Sequence, residues 1–575
     1  MGAFSYHAGA RAHPTEGFVS VCNPEALLRS SKNTLAKTRS RHTAVISEIA
    51  SSSTTELSSS SAVTASAWSV ANASSSSLLP STSTLAPKKT TSRTSTKPTP
   101  EQLSSSESFV EGMRRVLGNL HIKGISAEKL HRGKTQRQDA PFSNCTYVHD
   151  PPLNVVIIGS GFAGFSAAIA CARQGFSVVL LEKGSGLSPH GDLISFCPNA
   201  NKILRRWGLS SLMWERSCKG GSMIINDSYG YPVNQIDMAE IAKQYGTPMY
   251  QGHRAQYLGV FGVEARMLGV EVVPHTEVID ILDNLDRPAC ITSDGRVYHG
   301  DVVLVADGCN STLRRVVFGT EAKESCTGYG IHRAIMKVPK AFREDPKCAH
   351  FLDGNVRAWL GKDCHAFFAP LDNGNQMSIS ITHVDIDKAA SFNWKDIKSM
   401  DEVKSFVSGW DEGFIAALSY FKSGLHWRLF HHEPIPSWTS ANGRIAFLGD
   451  AIHTYLPTSL QGATASVEDG ATLALCLALA GGKPANVKLG LQVYQQLRQG
   501  PVQERAESGA LQRDMWHRFY STRNEKDARL CAIDFFEHDA ELTTLQRFQS
   551  LATEVDKNFR LDPRKFDKVM EIAGF

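Results

Sequence analysis

Hydrophobic and polar positions follow three different rhythms along this chain, and each predicts a different kind of structure. From Ser51 to Ser106 there is almost none: Ser and Thr dominate, with Pro80, Pro87, Pro98 and Pro100 among them. Such a stretch cannot bury enough apolar surface to offset the entropy of ordering it. Residues 1–107 are therefore expected to form a disordered Ser/Thr-rich arm, and residues 108–151 a linker with a short helix near its start. Continuous apolar order begins at Asn154. Val155–Ile158 predicts a buried strand, Ala163–Gln174 a helix and Val178–Leu181 a second strand, and strand, helix, strand within about thirty residues is a parallel βαβ unit. Farther on, Ile331–Val338, Ala366–Phe368 and Gln376–Ile381 predict a second sheet of antiparallel character. After Val487 the pattern is helical and rich in Gln, Arg and Glu.

Between the first strand and the first helix stands Gly159-Ser160-Gly161-Phe162-Ala163-Gly164. In a dinucleotide fingerprint the first glycine permits a tight turn, the second lets backbone approach a pyrophosphate, and the third lets helix and strand pack closely. The helix N-terminus then offers free N–H groups and the positive end of its dipole to phosphate. Glu182, closing the second strand, is placed for a carboxylate that accepts both ribose hydroxyls. Glycines alone are a weak signal, but glycines, strands and acid in register are a specific one. Gly184-Ser185-Gly186 follows a strand yet lacks a third glycine, so one resident dinucleotide is expected.

The 575 residues allow two or three folded units, with 42% hydrophobic residues to form cores. A formal charge of +4 with scattered Lys and Arg gives no basic stripe, so nucleic acid is not an expected partner. Twelve cysteines at irregular spacings, without a C-x-x-C pair, suit reduced thiols. No run approaches the ~20 apolar residues of a membrane span, and the N-terminus has no apolar block of the secretory kind. A cytoplasmic location is expected, with organellar targeting by the acid-poor N-terminal arm as the alternative. Met1-Gly2 does not read as a myristoylation signal because position six is Tyr6. There is no G-x-S-x-G and no H-E-x-x-H, and His431-His432 lacks partners at ligand spacing and reads as a surface pair, so no metal site is expected.

Two further segments carry a resemblance. Gly300 to Ser311, with Asp307-Gly308 at the end of a strand and Arg314 beyond, is similar to the Asp-Gly segment of FAD-dependent aromatic-ring monooxygenases. Arg444 to His453, with Gly449-Asp450, Pro457, Gln461-Gly462-Ala463 and Glu468-Asp469, resembles the Gly-Asp segment of the same family. Cys197 to Leu209 and His253-Arg254-Ala255 are similar to its salicylate-hydroxylase-like branch, and the resemblance covers roughly residues 152–520. It implies an α/β fold: a Rossmann-like FAD-binding domain (152–218, 240–325, 431–486), an inserted β-rich substrate domain (219–239, 326–430) and C-terminal helices (487–575).

The resemblance also implies roles. FAD would be held by Gly159, Gly161, Gly164, Glu182, Arg254, Asp307, Gly308, Asp450, Gly462 and Ala463, with Asp450 on the ribityl chain. NAD(P)H would visit as a transient co-substrate, and O2 with an aromatic or phenolic small molecule, such as a secondary-metabolite intermediate, would complete the reaction. Arg333, in a His-Arg pair where the family has Tyr-Arg, could favour a phenolate, contact the flavin, or be an edge-strand arginine held in a salt bridge. His365 could relay a proton or be structural. Three positions depart from the family: Asp192-Leu193 for Ala-Gly, Ser459 for a glycine, and Ala369-Pro370 for Tyr-Pro. Two other readings remain: a non-enzymatic flavoprotein interaction module, and a flavin-dependent reductase or oxidase on the same fold.

Overall fold

A computed structural model describes residues 151–575 apart from 188–190, 284–286, 320–323 and 386–396. The expected arm and all but the end of the expected linker lie outside the described residues. Asn154–Ile158, Ser177–Leu181, Glu271–Val273, Val302–Val305 and Ile445–Phe447 form a five-stranded parallel sheet, with Asn154–Ile158 at its centre. A parallel sheet is covered on both faces, which is why these strands read as unbroken apolar runs; Val302 to Val305 are all buried. The fingerprint helix Phe162–Arg173 begins one residue before the expected start. It packs against the apolar helix Gly462–Leu479 so closely that a Cβ on Gly470 would lie 2.4 Å from the Ala167 nitrogen.

The second sheet has eight strands, in the order Ile397–Ser399, Ser423–His432, Glu324–Lys337, Gln376–Val384, Cys364–Leu371, Val356–Gly361, Ser222–Asp227 and Pro232–Asp237. All neighbours are antiparallel except Val356–Gly361 with Ser222–Asp227, so the early pair 222–237 joins a sheet built mainly from residues after 324. The strand Glu324–Lys337 extends well before the expected Ile331, because it pairs with Ser423–His432 through a bulge between Cys326 and Tyr329 that the alternation does not reveal. Three further strands, Val278–Leu282, Ala289–Thr292 and Val297–His299, make a small antiparallel sheet.

The C-terminal part is helical, as the pattern after Val487 predicts: Val487–Thr522, Ala540–Val555 and Pro563–Ala573. The long first helix runs past Gly462–Leu479 and touches Val356–Gly361 and Cys364–Leu371 of the large sheet, so it borders both sheets. No described helix is by itself long and apolar enough to cross a membrane.

Candidate functional site

At one end of the cleft, local sequence builds a cradle for a dinucleotide. Gly159 turns with φ +100°, and a Cβ there would lie 2.4 Å from the Ala306 carbonyl oxygen. A Cβ on Gly164 would come within 1.9 Å of the Gly159 oxygen, so helix and turn touch through glycine. Gly161 differs: nothing lies within 4 Å of where its Cβ would be, which leaves room for a pyrophosphate to reach the backbone. No side chain caps the fingerprint helix, and its first turn has no acid to compete with a phosphate. The Glu182 carboxylate is already oriented, accepting from Ser160 N (2.9 Å), Ser160 Oγ (2.6 Å) and Gly184 N (2.7 Å).

The middle of the cleft gathers polar groups at strand ends. Asp307 follows the strand Val302–Val305; its Oδ1 is buried without a hydrogen-bond donor, and burial raises its pKa. Gly308 beside it has φ +90°. Asp450 follows the strand Ile445–Phe447 and opens onto the cleft with protein around it; that desolvation raises its pKa, opposed by His453 and Arg254. Arg254 heads the helix Arg254–Met267, donates its backbone N–H to the Asp192 carbonyl (2.8 Å) and lays its guanidinium 5.8 Å from the Phe162 ring centre. Burial lowers its pKa, while Asp192 and Asp450 pull it back. Gly462 and Ala463 open the helix Gly462–Leu479, which has no side-chain cap, so its first N–H groups are left for another acceptor. Open backbone, a fixed ribose acceptor, a buried acceptor without a donor and uncapped helix ends together fit FAD.

Charged side chains hold this middle region from behind. Asp469 accepts from Gly449 N (2.9 Å), His453 Nε2 (2.6 Å) and Arg498 Nε (2.8 Å), with no solvent exposure of its side chain. Arg498 also meets Glu468 at 2.9 Å, and Arg505 pairs with Glu468 as well. Burial alone would raise the pKa of Glu468, but Arg505 and Arg498 hold it down to about 2. The two arginines were not singled out from sequence. The available signal was Glu468-Asp469 inside an otherwise apolar helix, since buried charges require partners.

On the large sheet, strand register decides which residues meet. Arg333, Ser380 and Phe367 lie side by side on one face of the large sheet, with Ile331, Thr382 and His365 in the adjacent row. The Arg333 guanidinium pairs with Asp192 at 2.6 Å and lies 5.7 Å from the Trp427 ring centre. The guanidinium is thus half of an ion pair, the salt-bridge alternative of the sequence, and Asp192, which departs from the family pattern, is the other half. His365 does not join them: it is 1% exposed, with Nδ1 2.8 Å from Nε2 of His517 on the long C-terminal helix. Burial holds His365 well below the ordinary imidazole range, and His517 is lowered to about 4.

The other departures also have local answers. Ser459 packs against the long helix where Gly509 leaves space: a Cβ on Gly509 would lie 2.8 Å from the Ser459 Cβ. Ala369 is fully buried in the sheet. His432 is not a surface residue as expected; it is 8% exposed, and its Nε2 lies 3.3 Å from Arg314 Nη2.

Comparisons with known proteins agree with this geometry. The family described as an FAD binding domain matches residues 154–191. The chain is 30% identical over 383 residues to the FAD-dependent monooxygenase OpS4 of Beauveria bassiana, covering 64% of this chain and 86% of that one. It is 28% identical over 368 residues to asperlicin C monooxygenase of Petromyces alliaceus, covering 61% and 77%. Among solved structures, CtdE in complex with FAD and a substrate superposes with a TM-score of 0.64 at 25% identity, covering 70% of this chain and 99% of that chain. A salicylate hydroxylase substrate complex shares the fold, with a TM-score of 0.58 at 22% identity and 70% and 98% coverage.

Proposed function

The chain belongs to the FAD-dependent monooxygenases, and from that premise we propose that it hydroxylates an aromatic small molecule, of the kind made in secondary metabolism, using NAD(P)H and O2. Bound FAD supplies the redox chemistry, passing electrons from the nicotinamide to O2 so that one oxygen atom reaches the substrate and the other leaves as water. The chain's own residues bind, orient and keep the site dry. Glu182 takes the ribose hydroxyls, the Gly159–Gly164 turn the pyrophosphate, and Asp450 with the start of the Gly462–Leu479 helix the flavin end. Asp307 lies beside them at the end of its strand.

The observation that carries the substrate assignment is the Asp192–Arg333 pair beside Trp427, on the sheet face that borders the cleft. The ion pair offers a guanidinium donor beside a carboxylate acceptor without a full unbalanced charge, which suits a neutral arene whose phenolic oxygen accepts from Arg333 or whose ring N–H donates to Asp192. Trp427 adds a flat apolar surface for an aromatic ring. Asp192 fixes the guanidinium plane, so Arg333 can polarise the substrate heteroatom without searching for it. His365, sealed against His517, steadies the sheet against the long helix and takes no proton from the substrate.

The test is turnover of purified protein with NAD(P)H and a panel of phenols and indoles under 18O2. The expected result is substrate-stimulated NAD(P)H oxidation with one labelled oxygen in the product. Oxidation that no arene stimulates, with all the oxygen recovered as hydrogen peroxide, contradicts the proposal.

A further inference from the structure

Three neighbouring strands of the large sheet each bring one histidine to the face turned away from Arg333. His332 stands directly across from His426 in the antiparallel register, and His383 across from Gly330, two residues before His332. One ring nitrogen of each lies within 4.8 Å of the others. The sequence offers no hint of this, because the three come from three strands and share no local spacing; the expectation of no metal-ligand set rested on spacing alone.

The details favour ligation over packing. His383 Nδ1 lies 2.9 Å from the Val384 carbonyl oxygen, which makes Nδ1 the donor and leaves the Nε2 lone pair directed at His332 Nδ1, 3.1 Å away. A carbonyl that fixes the far nitrogen is the usual outer contact of a metal-bound imidazole. Two nitrogens on a tetrahedral ion at about 2.0–2.1 Å stand roughly 3.3 Å apart, close to this separation. Gly330 clears the floor of the cluster: a Cβ there would come within 2.9 Å of His426 Nε2 and 3.2 Å of His383 Nε2. His332 and His383 are 2% and 3% exposed, while half-buried His426 leaves a way in from solvent. The charges nearby are the Asp385–Arg428 ion pair at 2.7 Å, which is balanced, and Lys398, whose exposed side chain can turn away. A purely packed cluster would be an aromatic stack, and the rings do stack, His332 on His426 and His383 on Phe406, both at 3.9 Å. Ligation adds to that stack, because the His383 Nε2–His332 Nδ1 separation and the space over Gly330 suit a shared ion as well as ring contact.

We propose that His332, His383 and His426 bind one zinc ion, with water as the fourth ligand. Three neutral imidazoles and an open position suit zinc among the common divalent cations, and the harder magnesium and calcium ions do not choose such a set. The ion would tie three strands together directly behind Arg333, which follows His332 on the same strand and faces the cleft. It would brace the strand that carries the substrate-directed guanidinium.

The experiment uses untagged, FAD-loaded protein, stripped with a chelator and titrated with ZnCl2 by calorimetry, with elemental analysis of the dialysed product. One zinc per chain is expected, accompanied by a higher melting temperature. His426→Gln, at the half-buried position, and His383→Gln should each weaken zinc binding at least ~10-fold, which is about 1.4 kcal/mol, without changing flavin content. His299→Gln, at an exposed position elsewhere, should leave zinc binding unchanged. Absence of saturable binding at one per chain, or binding that survives both cluster variants, overturns the proposal. Magnesium at the same concentration should not compete, and full competition would also overturn it.

Discussion

Glu182 is held by Ser160 and Gly184, nearby in sequence, whereas Arg333 is held by Asp192, which comes from a segment distant in the chain. The two ends therefore differ in how they are made. The cofactor end consists of backbone and one acid, specified by contiguous sequence and tolerant of nothing larger than glycine at two points. The substrate end consists of side chains that sheet register brings together, so it can change residue by residue while the cofactor end stays fixed.

The comparison breaks most severely if the scaffold between the two ends is removed. Arg498→Met removes the guanidinium that Glu468 and Asp469 share, leaving Arg505 and His453 as their remaining side-chain partners, and losing one partner of a buried charge pair costs about 3–5 kcal/mol. Thermal unfolding should show a fall of that size, with loss of bound flavin. The same carboxylates give a pH signature. Glu468 is held down to about 2 in the folded protein, so its contribution is complete above the ordinary carboxylate range. That stability should drain away as pH falls from roughly 4.5 toward 2, and a melting temperature flat across that interval would contradict the network.

Glu182→Ala tests the cofactor end by itself. A charge-assisted hydrogen bond is worth about 1.5–3 kcal/mol, so FAD affinity should fall tenfold or more while the melting temperature of FAD-free protein stays put. Flavin content unchanged after dialysis would remove Glu182 from the site. Smaller again is Gly509→Ala, which presses on Ser459 and should cost about 1–3 kcal/mol by overpacking. Ser459→Gly in the same chain should restore most of it; if the two changes simply add, Ser459 and Gly509 are not the matched pair described above.

Legibility in sequence followed the same division. Gly159, Gly161, Gly164 and Glu182 could be read because a turn, a helix start and a strand end are local events with fixed spacing. Asp192 was visible only as a departure from a family pattern, and nothing in its neighbourhood names Arg333 as its partner; that pairing depends on how the Leu193–Phe196 strand sits against the large sheet. His365 and His517 lie on a strand and a helix whose packing no periodicity specifies. The β-bulge that lengthens Glu324–Lys337 was hidden because alternation marks faces and does not fix register. Ser459, which stands where the family has a glycine, makes sense only with Gly509 beside it.

The most direct test is the yield of hydroxylated product per NAD(P)H consumed, measured at saturating arene for wild type, Arg333→Ala, Asp192→Asn and the double variant. With Asp192 orienting Arg333, each single change should slow hydroxylation at least ~10-fold, about 1.4 kcal/mol, retain FAD and divert reducing equivalents to hydrogen peroxide. The double variant should then be little worse than either single one, because the pair acts as a unit, and Arg333→Lys should recover only part of the yield. Yield and rate unchanged in Arg333→Ala, or losses that multiply in the double variant, would contradict the assignment of the substrate end to this ion pair.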